Sequence, residues 1–260
     1  MPQAKINGID LCYEVHGEGP ALVLAHGGGG NHLSWWQQVP ELSRQFRCVT
    51  FDHRGFGDSR DAEGGPGANA FVEDLRQLLD HLGLERAALA GQSMGGWTVL
   101  GFAAAYPDRV SALVLCDTTA GVDDPEIIRE QAAALSDLRK GGLTQILTHA
   151  YAAGFPHREP MRHFLYQQIS GLNRHVPPNL LATLTGLKHQ VDEVIAKRIP
   201  TMLLVGEEDV IAPPPLMELI ARRIPHARFV KVPGAGHSVY FERPEEFNRI
   251  LLGFLREATS

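Results

Sequence analysis

Leu89-Ala90-Gly91-Gln92-Ser93-Met94-Gly95-Gly96 is the stretch that decides how the rest of the chain is read. Ahead of it, Arg86 to Ala90 is a short apolar run of strand length. Behind it, Trp97 to Tyr106 is rich in Ala, Leu and Phe and reads as a buried helix. A strand that turns directly into a helix strains the residue at the turn and crowds it with its neighbours. Glycine at both second neighbours removes the Cβ atoms that would collide. The Ser93 hydroxyl then stands clear of the sheet at a helix N-terminus, where backbone N–H groups can receive negative charge. In that setting Ser93 reads as a nucleophile, and the remaining sequence has to supply a base, an acid and oxyanion donors.

Working outward on the N-terminal side, residues 3–16 alternate apolar and polar around Asn7-Gly8, the pattern of a β-hairpin. Ala21 to Ala25 and Arg47 to Phe51 are continuous apolar runs, as expected of strands buried on both faces. Between them, Ser34 is expected to cap a helix carrying Trp35, Trp36, Val39 and Leu42. Phe71, Leu75, Leu78, Leu79 and Leu82 recur at helical spacing, and Gly83 ends that helix. On the C-terminal side, Val110 to Cys116, Thr201 to Gly206 and Ala227 to Val232 are further strands, with a helix near 216–223 and a closing one from Pro244 to about Arg256. The expected fold class is α/β: a mostly parallel eight-stranded sheet with helices on both faces. The alternation stops from about Thr119 to Lys197, where only helical patterns broken by Gly141-Gly142, Pro156, Pro160 and Pro177-Pro178 are found. Residues 1–118 and 198–260 therefore read as one core, and 119–197 as an inserted helical segment too long to be a plain connection.

The composition narrows the function classes. At 260 residues the chain can bury a sizeable core, and a net charge of −6 gives no support for nucleic acid or an anionic membrane as partner. No apolar run approaches bilayer length, and Met1 to Ile6 lacks the apolar stretch of a signal peptide, so a cytoplasmic location is expected. Cys12, Cys48 and Cys116 have no metal-ligand spacing and sit in strand-like runs, and none of the 12 histidines forms a His-x-x-x-His pair on a convincing helix. Neither a metal nor a cofactor is expected.

His237 lies in a glycine-flanked loop just beyond the last strand, Asp209 just beyond the strand ending near Val205. Catalytic groups of open α/β sheets gather at the carboxyl ends of strands, where Ser93 also lies. His237 is the expected base and Asp209 the expected acid that orients it, with Glu207, Glu208 and Asp117 as competing carboxylates. Loop context favours Asp209 over Asp117, since both satisfy the order serine, acid, histidine. The oxyanion donors are expected from the N–H of Met94 and from the glycine run after His26, at Gly28.

These motifs together resemble the α/β-hydrolase fold superfamily. Gly91 to Gly95 resembles its nucleophile elbow, and His26-Gly27 followed by Trp35 its oxyanion loop. Asp52-His53-Arg54-Gly55-Phe56-Gly57-Asp58-Ser59 is similar to a motif of its epoxide-hydrolase-like and haloperoxidase-like branches. The resemblance implies that residues 119–197 form a cap over the active site, and that the protein is monomeric or a homodimer. Serine in place of aspartate at the elbow argues against dehalogenase and epoxide hydrolase chemistry, and for acyl transfer through an acyl-enzyme. Gln92 and Ser238 stand where ring-cleavage carbon–carbon hydrolases typically carry Asn and Trp. A small-molecule carboxylic ester or lactone is accordingly the expected substrate. A carbon–carbon hydrolase, a haloperoxidase-like perhydrolase and a non-catalytic receptor on the same fold are the alternatives. Trp35 and Trp97 are expected to form the floor of the substrate pocket, and Tyr151, Phe155, Phe164, Tyr166 and Leu172 to line it from the cap.

Overall fold

The computed structural model describes residues 2–136 and 138–259. Its framework is one open sheet of eight strands: β1 (Gln3–Ile6), β2 (Ile9–His16), β3 (Ala21–Ala25), β4 (Arg47–Phe51), β5 (Ala87–Gln92), β6 (Val110–Cys116), β7 (Thr201–Gly206) and β8 (Arg228–Val232). Their spatial order is β1-β2-β4-β3-β5-β6-β7-β8. The first two pairings, β1 with β2 and β2 with β4, are antiparallel, and all others are parallel. Asn7 and Gly8 both have positive φ, which a two-residue hairpin turn requires. The order reverses next to β3, so its carboxyl end and that of β5 lie side by side, where such sheets open a crevice.

The continuous apolar strands are explained by the two layers that cover them. Along β3, Val23 and Ala25 pack into one core with Leu75, Leu78 and Leu79 of helix Phe71–His81. Leu22 and Leu24, pointing the other way, pack into a second core with Phe247, Leu251 and Leu255 of the last helix. The helices, in chain order, are α1 (Val39–Leu42), α2 (Phe71–His81), α3 (Met94–Ala105), α4 (Pro125–Ala134), α5 (Gly142–Leu147), α6 (Phe155–Arg158), α7 (Pro160–Gly171), α8 (Leu180–Gly186), α9 (Asp192–Ala196), α10 (Pro214–Arg223), α11 (Val239–Glu242) and α12 (Pro244–Thr259). The central one, α3, begins at the residue after Ser93, three residues earlier than the sequence pattern suggests. It is apolar on every side because it is buried between the sheet and its neighbours.

One helix start differs from the sequence reading. Ser34 does not cap; Asn31 does, its side chain accepting from the Leu33 N–H, while the Ser34 hydroxyl accepts from the Asn31 N–H. The two side chains form a reciprocal capping box, so the serine sits inside the first turn. The expected single helix is also divided into a short 3₁₀ turn, His32–Trp35, and α1, with Pro40 near the start of α1.

Helices α4 to α9 fill the interval between β6 and β7, and no named strand falls there. The interval is anchored to the core at both edges. Arg223 of α10 reaches Asp124 and Glu126 at the start of α4, both at 2.7 Å. The Asn173 side chain donates to the Gly30 carbonyl and accepts from the Gly57 N–H. No helix among the described residues is long and apolar enough to cross a membrane.

Candidate active site

Ser93 is the N-cap of α3, with φ 49° and ψ −116°, a backbone conformation that L-residues adopt only under constraint. The constraint is visible in its neighbours. A Cβ on Gly91 would lie 2.4 Å from the Gly95 carbonyl oxygen, and one on Gly95 would lie 2.2 Å from the Ala25 carbonyl oxygen. Both contacts are to backbone, so no side-chain adjustment relieves them. The turn is held from outside as well: the Ser93 N–H donates to the Cys116 carbonyl at 2.9 Å, and the Thr118 hydroxyl donates to the Ser93 carbonyl at 2.7 Å.

The side chains expected to act together are together. Ser93 Oγ is 2.8 Å from His237 Nε2. His237 Nδ1 lies 2.9 and 3.0 Å from the two carboxylate oxygens of Asp209. Asp209 Oδ1 also accepts from the N–H groups of Ile211 and Ala212, at 2.8 and 3.0 Å, which fixes the carboxylate in place. Serine to histidine to aspartate is the geometry in which the imidazole removes the hydroxyl proton while the carboxylate sets its tautomer. Burial opposes the charged form of His237, yet the charge and hydrogen bond of Asp209, with the Asp117 and Glu242 charges, together outweigh it and the histidine pKa is raised.

Asp117 is not in this chain of hydrogen bonds. Its carboxylate accepts from the Gly206 N–H at 2.9 Å and the Val239 N–H at 3.3 Å, tying β6 to β7 and to α11. Burial first, and then the Asp209 charge beside it, hold its carboxyl well above the usual carboxylate range. Of the competing carboxylates the structure thus places Asp209 on His237, and Asp117 behind it as a buried tie. Glu207 is on the protein surface, paired to Lys231 at 3.3 Å.

Gly28 and Met94 line the same cavity as Ser93 and His237. The Met94 N–H is the first of α3 and has no carbonyl within the helix to take it. In the glycine run the Gly30 N–H donates to the Gly27 carbonyl at 2.9 Å. No protein acceptor is found for the Gly28 N–H among the described residues. A Cβ on Gly27 would meet Gln92 Oε1 at 2.0 Å, so any side chain there would displace the Gln92 amide. His26 does brace the loop, with Nδ1 2.8 Å from the Gly27 carbonyl and Nε2 accepting from the His53 N–H at 3.0 Å. Burial holds its pKa down, to about 4, which keeps the ring neutral as both bonds require.

The expected substrate contacts fare differently. Trp97 and Tyr166 line the cavity. Trp35 does not: it is fully buried against Tyr240 and Phe247, with ring centroids at 4.6 and 6.3 Å. Phe155 is buried against Phe241 and Tyr151, outside the cavity. Tyr151 stands behind Tyr166, its hydroxyl 2.9 Å from His163 Nε2. Phe164 points to solvent, 61% exposed, and Leu172 is exposed too. The reason is rotational: Phe164 and Tyr166 are two residues apart on α7, so they project about 200° apart and only one can face inward. The aromatic residues of this region mostly pack on one another.

Other residues at the site carry weaker sequence signals. Gln92 donates to the His237 carbonyl at 2.6 Å, linking the elbow to the histidine loop. Glu242, buried, accepts from the N–H groups of Gly236, Ser238 and Ala152, at 2.9, 3.3 and 3.1 Å. Burial pushes its carboxyl up, and those three donors counter it. The Ser238 hydroxyl donates to the Ala150 carbonyl at 2.6 Å and Arg158 to the Gly234 carbonyl at 3.0 Å, so the loop bearing His237 is also joined directly to the segment between β6 and β7. Much of the remaining cavity wall comes from Gln131, Leu135, Ile146, Leu147 and leucines of α8, positions with no distinguishing motif.

Cys12, His32 and Asp52 also converge, with potential ligand atoms within 4.8 Å of one another, a grouping invisible in sequence spacing. The cluster is arranged as a hydrogen-bond hub. Asp52 accepts from the His32 and Asp58 N–H groups and lies 2.6 Å from His32 Nδ1. Burial pushes the Cys12 thiol up to about 12, so it is protonated at neutral pH.

Set beside known proteins, the chain matches a family model described as the alpha/beta hydrolase fold over residues 20–137 and 150–244. It is 31% identical to a Caulobacter sp. (strain K31) protein that carries the provisional name carbamate hydrolase RutD, over 98% of both chains. Among solved structures, a thermophilic esterase from Thermogutta terrifontis is 32% identical, with a TM-score of 0.81 over 99% of this chain and 97% of that one. The enol-lactonase from Burkholderia xenovorans LB400 is 29% identical, with a TM-score of 0.81 over 98% and 100%.

Proposed function

This chain belongs to the α/β-hydrolase fold family, and on that premise we propose that it is a serine hydrolase that cleaves a small carboxylic ester or lactone through an acyl-enzyme. The observation that carries the reading is the unbroken path from Ser93 Oγ through His237 to Asp209, in contacts of 2.8 to 3.0 Å. His237 and Asp209 are buried, and the half-buried Ser93 faces a cavity. In the proposed reaction Ser93 attacks the carbonyl carbon while His237 Nε2 takes the hydroxyl proton. The negative charge that develops on the carbonyl oxygen is received by the Met94 and Gly28 N–H groups. His237 returns the proton to the departing alkoxide, leaving an ester between Ser93 and the acyl group. Water, deprotonated by the same imidazole, then attacks that ester and regenerates Ser93. Residues 119–197, helices α4 to α9, act as the cap that excludes bulk water and sets the shape of the cavity.

The names of the esterase and the enol-lactonase support ester-bond chemistry for this chain as well. The test is turnover of short p-nitrophenyl esters together with labelling by a fluorophosphonate, in the native protein and in Ser93→Ala. Wild type is expected to be labelled once, at Ser93, and the variant to lose both labelling and turnover by at least ~10³-fold, as expected for removal of a catalytic nucleophile. Equal turnover by the two proteins would overturn the proposal.

A further inference from the structure

The cavity above Ser93 is chemically divided. Much of its wall is aliphatic, from Leu135 after α4, Ile146 and Leu147 of α5, and Leu180, Leu181 and Leu184 of α8. One patch is not. Gln131, one turn before Leu135, lines the cavity while remaining only 9% exposed, and its Nε2 donates to Thr119 Oγ1 at 2.6 Å. Thr119 lines the cavity too, and it follows Thr118, the residue whose hydroxyl holds the Ser93 carbonyl. The amide is therefore anchored on the residue next to the one that holds the Ser93 backbone.

On α4 the other buried residue is Ile127, one turn earlier, so an aliphatic side chain at 131 would simply continue an apolar stripe. A primary amide there is costly unless its polar atoms are satisfied. It offers two N–H donors and two acceptor lone pairs, and among the described residues the protein takes one of the four. Gln131 lines the cavity, so a ligand held there can meet the unused capacity. A carboxylate or ammonium group, by contrast, would lose its water against the leucines and isoleucines that line the cavity.

We infer that the substrate is an uncharged ester or lactone with a mainly aliphatic limb that carries one hydrogen-bonding group, a hydroxyl or a carbonyl, read by Gln131 from its anchor on Thr119. The inference rests on the proposed role of Ser93. It makes Gln131 a specificity residue: its free amide capacity is paired by the right substrate and left unpaired by a plain alkyl chain, which is how a polar site rejects an analogue that lacks the group.

The experiment compares kcat/KM for four p-nitrophenyl esters: hexanoate, 3-hydroxyhexanoate, 5-oxohexanoate and the monoester of adipate, whose far end is a carboxylate. Wild type is expected to favour at least one of the two neutral polar esters over hexanoate by about tenfold, the size of one net hydrogen bond, and to use the adipate ester least. In Gln131→Leu that preference is expected to fall to about unity. Thr119→Val, which removes the anchor with little change of volume, should reduce it in the same direction, and thermal melts verify that each variant is folded. A wild-type enzyme that prefers hexanoate to both polar esters, or prefers the adipate ester, overturns the inference, as does a preference unchanged in both variants. If none of the four esters is turned over and Ser93 takes no fluorophosphonate, the serine hydrolase reading itself has failed.

Discussion

Replacing Asp209 by Asn tests the electrostatics of the site most directly. The substitution keeps the shape of the side chain and the acceptor for the Ile211 and Ala212 N–H groups, and removes the charge facing His237 Nδ1. With charges about 4 Å apart and an effective dielectric constant of about 20, the lost attraction for the imidazolium formed in the transition state is about 4 kcal/mol. That corresponds to about three decades in rate. An amide can also donate toward Nδ1 and impose the wrong tautomer, and in other serine triads the combined loss is about 10⁴. The expected result for Asp209→Asn is therefore a fall of ~10³ to 10⁴ in kcat, read on a p-nitrophenyl ester, with fluorophosphonate labelling slowed in parallel. The pH profile carries a second signature. The base acts when neutral, so activity rises with pH through the His237 pKa. Asp209 raises that pKa against burial; without the charge burial is less opposed, and the acid limb should move to lower pH. Asp117→Asn is the matched control. It leaves the His237 to Asp209 contact intact but puts an NH₂ against one of the two backbone N–H groups that Asp117 now accepts, so its effect is expected on stability, about 1–3 kcal/mol in urea unfolding. An Asp209→Asn enzyme within tenfold of wild type, or an Asp117→Asn enzyme as slow as Asp209→Asn, would refute the assignment of the acid.

Two further outcomes follow from packing. Gly95→Ala is expected to cost more than about 3 kcal/mol, because its Cβ would meet the fixed Ala25 carbonyl. Gly253→Ala, in the middle of α12 with nothing within 4 Å of the added Cβ, should instead stabilise by up to about 1 kcal/mol; chemical denaturation separates the two. Glu242→Gln keeps volume but turns one of its acceptor oxygens into a donor facing backbone N–H groups of Gly236 and Ser238 or of Ala152. It is expected to lower kcat at least tenfold with a smaller change in KM, since the loop it holds carries His237, and to lower the melting temperature by several degrees, at about 1–3 kcal/mol for the unsatisfied donors. Unchanged kcat in a folded variant would show that the loop does not depend on it.

Sequence and structure contribute to this picture in distinct ways. The elbow, the strands and the placement of Ser93, His237 and Asp209 at strand ends were legible in the chain because each rests on a local constraint. A strained turn needs Gly91 and Gly95, and a strand buried on both faces needs an unbroken apolar run such as Ala21 to Ala25. The choice between Asp209 and Asp117 was not legible to the same degree. Both follow strands and precede His237, and only the folded chain shows one on the imidazole and the other on the backbone of β7 and α11. The cavity wall was the least legible part. Phe155, Phe164 and Tyr166 look alike in the sequence, yet one is packed against Phe241, one faces solvent and one faces the cavity. Trp35 was drawn away from the site by a 3₁₀ turn ending at that residue. The fold class and the strand-end positions of Ser93, His237 and Asp209 are legible in the chain alone, because backbone strain and apolar periodicity act between near neighbours. Which side chains surround the cavity was decided only by tertiary structure, because the direction of a side chain depends on the rotation of its helix against elements far away in the chain.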